Sequence, residues 1–488
     1  MGAEPTLVGL DVGTTGVKAI ALSVRGGVEA VATRGYPLST PQPGWSEQDP
    51  EEWWRASESA LAEVSAGREV AGIGLSGQMH GLVALDASGA VIRPAILWND
   101  QRTAEECAEI EARVGLERLI GLTGNRALTG FTAPKLLWLR RHEPEAYARI
   151  ARIMLPKDYV RLRLTGEWAI DASDASGTLL LDVGRRDWST DVLGALDLPA
   201  EWLPPVLESP ERAGIVGTSV TSLQGTPVAA GAGDQPAAAV GVGADGPGVL
   251  SVVLGTSGVV LAPLPSYAHD AEARVHAFCH AVPGTWQAMG VMLSAAGSLQ
   301  WFHDSLAPET PFDVLAAEAE AWEPGAEGLV FLPYLAGERT PHADPDARGA
   351  FVGLQLRHDR GALVRAVLEG VAFGLRDSLD LLRALGVDAS VARVSGGGAR
   401  SRLWLRIVAS VLGLPLELAE SEEGSAFGAA LLGGVAAGVF ADVHDAVARC
   451  VRVADTFEPD PAWQAAYAEQ HERYQALYPA LYDTRVRA

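Results

Sequence analysis

LVGLDVGTTGVKAIAL, residues 7–22, and VLSVVLGTSGVVLAPL, residues 249–264, are the two stretches on which the fold is decided. In each, apolar residues flank a four-residue turn: Gly13-Thr14-Thr15-Gly16 in the first and Gly255-Thr256-Ser257-Gly258 in the second. Glycines at both ends of a turn supply backbone angles that other residues resist, so both stretches predict β-hairpins. The echo lies half a chain apart and predicts duplicated domains, 1–246 and 247–488. It breaks at one place. Asp11 stands two residues before the first turn, and its counterpart in the second stretch is Val253. A carboxylate on one side alone makes any chemistry here asymmetric.

Outward from these hairpins, residues 70–76 and 81–86 predict a further strand pair. Helical spacing runs through 50–64, which Asp49 caps and Pro50 opens, and through 104–114 and 134–141. Residues 204–225 are rich in Pro, Gly, Ser and Thr and predict a loop. A short apolar strand at 227–233 follows, and Asp234-Gln235-Pro236 opens a helix. Residues 360–385 set Leu363, Val367, Val371 and Leu375 on one helical face. A strand at 391–394 ends in Ser395-Gly396-Gly397-Gly398, with helices expected at 403–412 and 425–437. Strands alternating with helices predict an α/β chain of two domains.

Composition narrows the function. The chain has 488 residues, 48% of them hydrophobic and 20% charged, as in ordinary globular enzymes. Its formal charge of -23 repels nucleic acid and anionic lipid, so neither is an expected partner. The same charge repels ATP, so a nucleotide site has to be built locally from backbone N–H groups, helix N-termini and a cation. Cys107, Cys279 and Cys450 are few and scattered, which argues against disulfides or zinc and for a reducing cytoplasm. Neither a signal peptide nor an 18-residue apolar run is read in the sequence. Met1-Gly2 with Thr6 fits an acylation pattern and is read as chance.

Common nucleotide motifs fail. The three lysines, Lys18, Lys135 and Lys157, precede Ala19, Leu136 and Asp158, so no P-loop exists. Gly241, Gly243 and Gly246 match GxGxxG but lead into a strand, the wrong context for a dinucleotide fold. What remains is a set suited to phosphoryl transfer, which needs a phosphate cradle, a metal, a cation and a carboxylate base. Thr14, Thr15, Gly255, Thr256 and Ser257 on the two turns are the cradle; the plainer reading of each turn alone is a hairpin. Asp11 is the candidate for Mg²⁺, held through water. Lys18 is either a cation near the phosphoryl group or an exposed strand lysine. Asp234, at a helix start, is the candidate base, and the helix field is expected to keep it ionised. Gly397 and Gly398 let backbone approach a flat ligand closely. Gln78-Met79-His80 and Trp98-Asn99-Asp100 offer polar groups and an aromatic face for a sugar. A hydrogen-bonded structural role is the plainer reading of a lone His80.

Taken in order, Asp11-Val12-Gly13-Thr14-Thr15, Gly233-Asp234-Gln235, Gly255-Thr256-Ser257-Gly258 and Gly396-Gly397-Gly398-Ala399-Arg400-Ser401 resemble the FGGY carbohydrate kinases. The resemblance covers nearly the whole chain. It implies two actin-like (ribonuclease H-like) domains, each a mixed β-sheet flanked by helices, with ATP in the cleft between them. It also implies a sugar side on 1–246 and a nucleotide side on 247–488. Residues 45–50, 77–81, 97–100, 155–159 and 294–296 are similar to the xylulokinases of that family, which implies D-xylulose as substrate. L-ribulose, glycerol, gluconate and a non-catalytic sugar sensor remain as alternatives, and Met79-His80 stands where glycerol kinases tend to have Arg-Glu. By this resemblance Met79, His80, Asp100, Asp234 and Gln235 contact the sugar, with Asp234 as base. Thr14, Lys18, Thr256 and Gly397 contact nucleotide. Gln235 departs from the Asn usual after that Asp. A homodimer is left open.

Overall fold

Both hairpins form. Thr6–Val12 turns back antiparallel on Gly16–Ser23, and Val249–Leu254 does so on Gly258–Leu264. The computed structural model describes residues 4–482, so the Met1-Gly2 pattern lies outside the described residues. The two turns differ by one residue. Val12 pairs with Val17 in the first, so Gly16 pairs only outward with Gly35, whereas Leu254 pairs with Gly258 itself in the second.

Each hairpin starts a seven-stranded mixed sheet, and the two sheets repeat one plan. In the first, Thr6–Val12 lies between Gly16–Ser23 and the parallel strand Val70–Gly77; in the second, Val249–Leu254 lies between Gly258–Leu264 and the parallel strand Val391–Ser395. Both sheets extend through one more parallel strand, Pro227–Ala229 or Leu416–Ala419. Both end on an antiparallel edge, Arg212–Ile215 or Val453–Phe457. Helices flank both sheets, and this is the two-domain actin-like arrangement. The long helix Arg360–Ala384 buries Val367, Val371 and Leu375 against the second sheet. Each such side chain contributes about 1.5–3 kcal/mol on leaving water. Among the described residues no helix is long and apolar enough to cross a membrane.

Three local expectations change. Residues 70–86 are not a strand pair: Val70–Gly77 runs parallel to Thr6–Val12, and Val83–Leu85 pairs instead with Arg152–Met154. A parallel strand covered on both faces reads as an apolar run, and sequence alone cannot say what it pairs with. The loop at 204–225 holds the edge strand Arg212–Ile215, disguised by its glycine and proline surroundings. The strand at 227–233 is two pieces, Pro227–Ala229 and Ala232–Gly233, hinged at Gly231 with φ +88°.

Helix Gly424–Ala436, from late in the chain, packs across the first sheet and against helix Asp234–Val242. The approach is backbone to backbone. A Cβ on Gly9 or on Gly74 would lie 1.8 Å from the carbonyl oxygen of Ala426 or Ala429, so only glycine fits at either place. These two helices form the floor between the sheets, and Asp234 opens one of them.

Candidate active site

Strand register builds the site. Asp11 and Ala232 both pair with Ser76, and Val12 and Gly233 both pair with Gly77. Three chain segments therefore leave the first sheet at one edge: the 13–16 turn, Gln78-Met79-His80, and Asp234. Ligands in α/β sheets gather at the carboxyl ends of parallel strands for this reason.

At that edge Ser76 Oγ donates to Asp11 Oδ1 at 2.8 Å. The other oxygen, Oδ2, faces the turn, 3.9 Å from where a side chain on Gly13 would begin. Burial pushes the Asp11 carboxyl above its usual range, against the Ser76 hydrogen bond and the Lys18 charge. The first two turn carbonyls are held by side chains, while Thr15 O and Gly16 O accept from the backbone N–H groups of Tyr36 and Gly13. The Tyr36 hydroxyl and Gln78 Nε2 donate to Gly13 O, the latter at 3.3 Å, and Gln48 Nε2 donates to Thr14 O at 2.7 Å. Trp98 Nε1 donates to Thr14 Oγ1 at 2.9 Å, which stands a 42% exposed indole beside the turn.

His80 occupies the left-handed region, φ +71°, a strain of about 1–3 kcal/mol for a residue with a Cβ. The strain turns its ring so that Nδ1 lies 2.6 Å from Gly177 O. A Cβ on Gly177 would lie 2.5 Å from that nitrogen, so a side chain there would displace the ring. Gly177 O can only accept, so Nδ1 carries the proton and Nε2 keeps a lone pair. Burial lowers the imidazole pKa to about 3, with Lys135 and Arg339 adding to the effect, so the ring stays neutral. Phe131 packs edge-on at 4.8 Å. Met79 packs against Gly233, beside Asp234.

Asp234 does not keep the charge state expected of it. Burial, and after it the nearby negative charge of Asp11, raise its pKa to about 7. Hydrogen bonds, including Gln235 N to Oδ1 at 2.7 Å, act the other way and lose. The helix N-terminus is outweighed by desolvation and a like charge. Behind Asp234 lies a fully buried ionic cluster. Lys157 Nζ is 2.6 Å from Asp158, 2.7 Å from Asp171 and 3.2 Å from Asp174. Arg161 joins Asp158 to Ala230 O, and Ser173 Oγ, on the same cluster, accepts from Gly233 N at 3.3 Å. The cluster thus braces the backbone that delivers Asp234.

On the facing sheet, Gly255 O accepts from Ala296 N, and Thr256 O from Ala295 N and Gly297 N, at the start of helix Ala296–Leu306. Thr256 and Ser257 are exposed. Gly396, at φ +95°, lets the Gly396–Gly398 loop lie against Leu254 and Gly255; a Cβ there would meet Gly255 N at 3.0 Å. Gly397 faces open space and, with Gly398, borders a recess of about 680 Å³ lined by Leu299, Gln300, Phe312 and Ser401.

Two expected site residues are placed otherwise. Lys18 pairs with Glu423 at 2.7 Å, joining the first hairpin to the cap of helix Gly424–Ala436. Asp100 has no exposed surface. Its oxygens accept from Ser46 N at 2.6 Å and from Arg102 at 2.7–3.0 Å, so it offers a sugar nothing while those bonds stand. Its neighbour Asn99 has a buried Oδ1 without a protein partner. Gln48, Ser76 and Tyr36 were missed. Gln48 and Ser76 lie in or beside stretches the sequence flags, but their partners are between 34 and 65 residues away. Among the described residues no three His, Cys, Asp or Glu side chains are grouped so as to hold a metal ion. Asp11, with Oδ2 facing the turn, is a lone carboxylate, and Mg²⁺ takes one or two carboxylates and completes its shell with water and phosphate oxygens.

Models of the FGGY family of carbohydrate kinases match this chain, the N-terminal domain over residues 6–241 and the C-terminal domain over 250–437. Xylulose kinase of Escherichia coli (strain K12) is 44% identical over 481 residues, covering 97% of this chain and 99% of that protein. Xylulose kinase of Bacillus subtilis (strain 168) is 38% identical, covering 97% and 96%. A crystal structure of a "xyloylose kinase" from Brucella ovis superposes with a TM-score of 0.92 at 44% identity, over 98% of this chain and 100% of that one. That of xylulose kinase from Rhodospirillum rubrum gives 0.91 at 34%, over 98% and 99%.

Proposed function

This chain belongs to the FGGY family of carbohydrate kinases, and from that premise we propose that it transfers the γ-phosphoryl group of ATP to D-xylulose, giving D-xylulose 5-phosphate and ADP. The single observation that carries the mechanism is Asp234. It is a carboxyl with a pKa of about 7 at a helix start, delivered at the same end of the sheet as Asp11 and the Gln78-Met79-His80 segment. A base poised near neutrality can take a hydroxyl proton and release it again. The relatives that match over nearly the whole chain are named xylulose kinases, which supports the substrate.

In this reading the sugar lies between Met79, His80 and Trp98, with Gln235 at its edge. His80 Nε2 accepts a hydroxyl proton in a hydrogen bond and so orients the chain of carbons. Asp234 accepts the proton of the 5-hydroxyl as that oxygen bonds to the γ-phosphorus, while the bond from phosphorus to the β–γ bridging oxygen breaks and ADP leaves. Thr14, Thr15, Gly255, Thr256 and Ser257 cradle the phosphates from two sides. Gly397 and Gly398 border the recess that takes the adenosine. Asp11 would hold Mg²⁺ through water, and the cation supplies charge neutralisation on the phosphates. Asp100 and the Lys157 cluster hold the walls rather than touch the sugar. The division at residue 246 belongs to the same proposal, with the sugar side before it and the nucleotide side after it.

ADP release with ATP, Mg²⁺ and D-xylulose, beside L-ribulose, glycerol and gluconate, tests the reading. Strong stimulation by D-xylulose above the rest is the expected outcome. Stimulation by another compound refutes the substrate, and none by any of them refutes the kinase.

A further inference from the structure

His276 opens the strand His276–Cys279, which belongs to the second sheet yet lies against the first half of the chain. Asn125 fixes its ring. Asn125 Nδ2 donates to Thr123 O at 2.9 Å and to Ala277 O at 3.0 Å, so its Oδ1 is the atom turned toward His276, 2.6 Å from Nδ1. An amide oxygen only accepts, so Nδ1 carries the proton and Nε2 keeps a lone pair. His80 is held in the same tautomer by Gly177 O, also at 2.6 Å. Asn125 is 2% exposed and His276 6%, so water does not compete for the bond between them.

The two histidines meet across a pair of phenyl rings. Phe131 lies 4.8 Å from the His80 ring and 6.0 Å from the His276 ring, edge-on to both, and Phe278 lies 6.3 Å and 5.5 Å from them. Phe278 stacks on one face of His276, the planes 15° apart. With that face covered and the Nδ1 edge taken by Asn125, the edge left open carries Nε2. Among the described residues no protein group hydrogen-bonds to it. Strand register places this edge. His276 pairs with Met289, which pairs in turn with Leu261, so His276 is the residue of its strand nearest the second turn at Gly258. Burial holds the imidazole well below its usual pKa, so the ring stays neutral. A bare acceptor on a buried ring is costly until a donor reaches it.

We propose that His276 is a specificity-determining residue whose Nε2 accepts a hydrogen bond from a second hydroxyl of the sugar that His80 holds. The proposal rests on the sugar-kinase reading above. His80 comes from the first half and His276 from the second, and each presents an acceptor with no donor of its own. The pair selects a ligand with two hydroxyl donors spaced along one carbon chain. A polyol too short to reach both leaves one nitrogen unpaired and binds less tightly.

Kinetics and calorimetric sugar binding of the full-length protein decide it, with D-xylulose and with analogues in which the hydroxyl at C1, C3 or C4 is replaced by hydrogen. His276→Phe keeps a ring and removes the acceptor. Its KM and Kd for D-xylulose should rise about 5- to 20-fold while the KM for ATP stays within about twofold. One of the three analogues should bind the wild type more weakly than D-xylulose by a like factor, yet bind His276→Phe and the wild type alike, because hydroxyl and acceptor form one pair. His276→Gln, whose amide can present an oxygen near the place of Nε2, should recover most of the loss. Unchanged sugar affinity in His276→Phe overturns the proposal. So does a loss that falls equally on D-xylulose and on all three analogues, which would make His276 a packing residue. ADP affinity equal to wild type certifies the fold; should His276→Phe fail to fold, His276→Leu decides by the same analogues. If the wild type phosphorylates another sugar, the analogues of that sugar replace these, so the two readings fail separately.

Discussion

At residues 13–16 the carbonyls of Gly13 and Thr14 accept from three side chains, those of Tyr36, Gln48 and Gln78. At 255–258 the carbonyls of Gly255 and Thr256 accept from three backbone N–H groups, those of Ala295, Ala296 and Gly297. The two turns share a tetrapeptide pattern and a place in duplicated sheets. They differ in support and in what lies beneath them, Asp11 under the first and Val253 under the second. A turn held by backbone is a passive cradle that tolerates changes of side chain. A turn held by side chains over a buried carboxylate is adjustable, and it sits beside Asp234, the proposed base. The two sheets share one backbone plan, and the proposed reactive groups lie on one side of it.

The largest expected effect tests whether chemistry is confined to the first half. Asp234→Asn should lower kcat by about 10³-fold or more while ATP still binds. The same variant should melt at a higher temperature near pH 7. The folded pKa of about 7 lies above the unfolded carboxylate value, so ionising Asp234 costs stability progressively as pH rises from about 4 to about 7. An amide carries no such cost. Near-normal turnover would remove Asp234 from the mechanism.

Next, Asp11→Val makes the first turn like the second. Turnover should fall about 100-fold and its dependence on Mg²⁺ concentration should flatten. Wild-type activity in this variant would mean that the asymmetry carries no chemistry. Asp11→Asn gives the pH version. At low Mg²⁺, wild-type kcat/KM should climb as pH rises through about 7, because the base must lose its proton. Without the Asp11 charge, the Asp234 pKa falls and that limb moves to lower pH.

A smaller effect sharpens the difference in support. Gln48→Leu leaves Thr14 O without its side-chain donor and should raise the KM for ATP about 10-fold. Thr256→Val, on the backbone-held turn, should raise it by no more than about threefold, measured in the same assay. Equal effects would erase the distinction. Smallest is Lys18→Met. The Lys18–Glu423 pair is 42% and 21% exposed, so its loss should change unfolding free energy by less than about 0.5 kcal/mol in urea titrations. A hundredfold loss of turnover in that variant would return Lys18 to the phosphoryl group.

The fold was legible because its signals are local. Both hairpins, the helix at 360–385 and the helix opened by Asp234 follow from turn glycines, apolar period and capping within a few residues. Misread segments were those whose pairing is remote, such as Val70–Gly77, whose residues meet partners on Thr6–Val12 that are 64 or 65 positions away, and the edge strand Arg212–Ile215. The candidate site divides the same way. Asp11, Thr14, His80, Asp234, Thr256 and Gly397 could be named from motifs, whereas Tyr36, Gln48 and Ser76 carry no motif of their own.

By itself the sequence determined the family, the duplicated turns, the lone carboxylate at Asp11 and the place of Asp234 at a helix start, all written in residues adjacent along the chain. Only the tertiary structure decided that burial and Asp11 raise the Asp234 pKa to about 7, that Asp100 is locked by Ser46 and Arg102, and that Lys18 serves Glu423. Those outcomes depend on desolvation and on charges brought together from segments far apart in the chain, and neither quantity exists until the chain is folded.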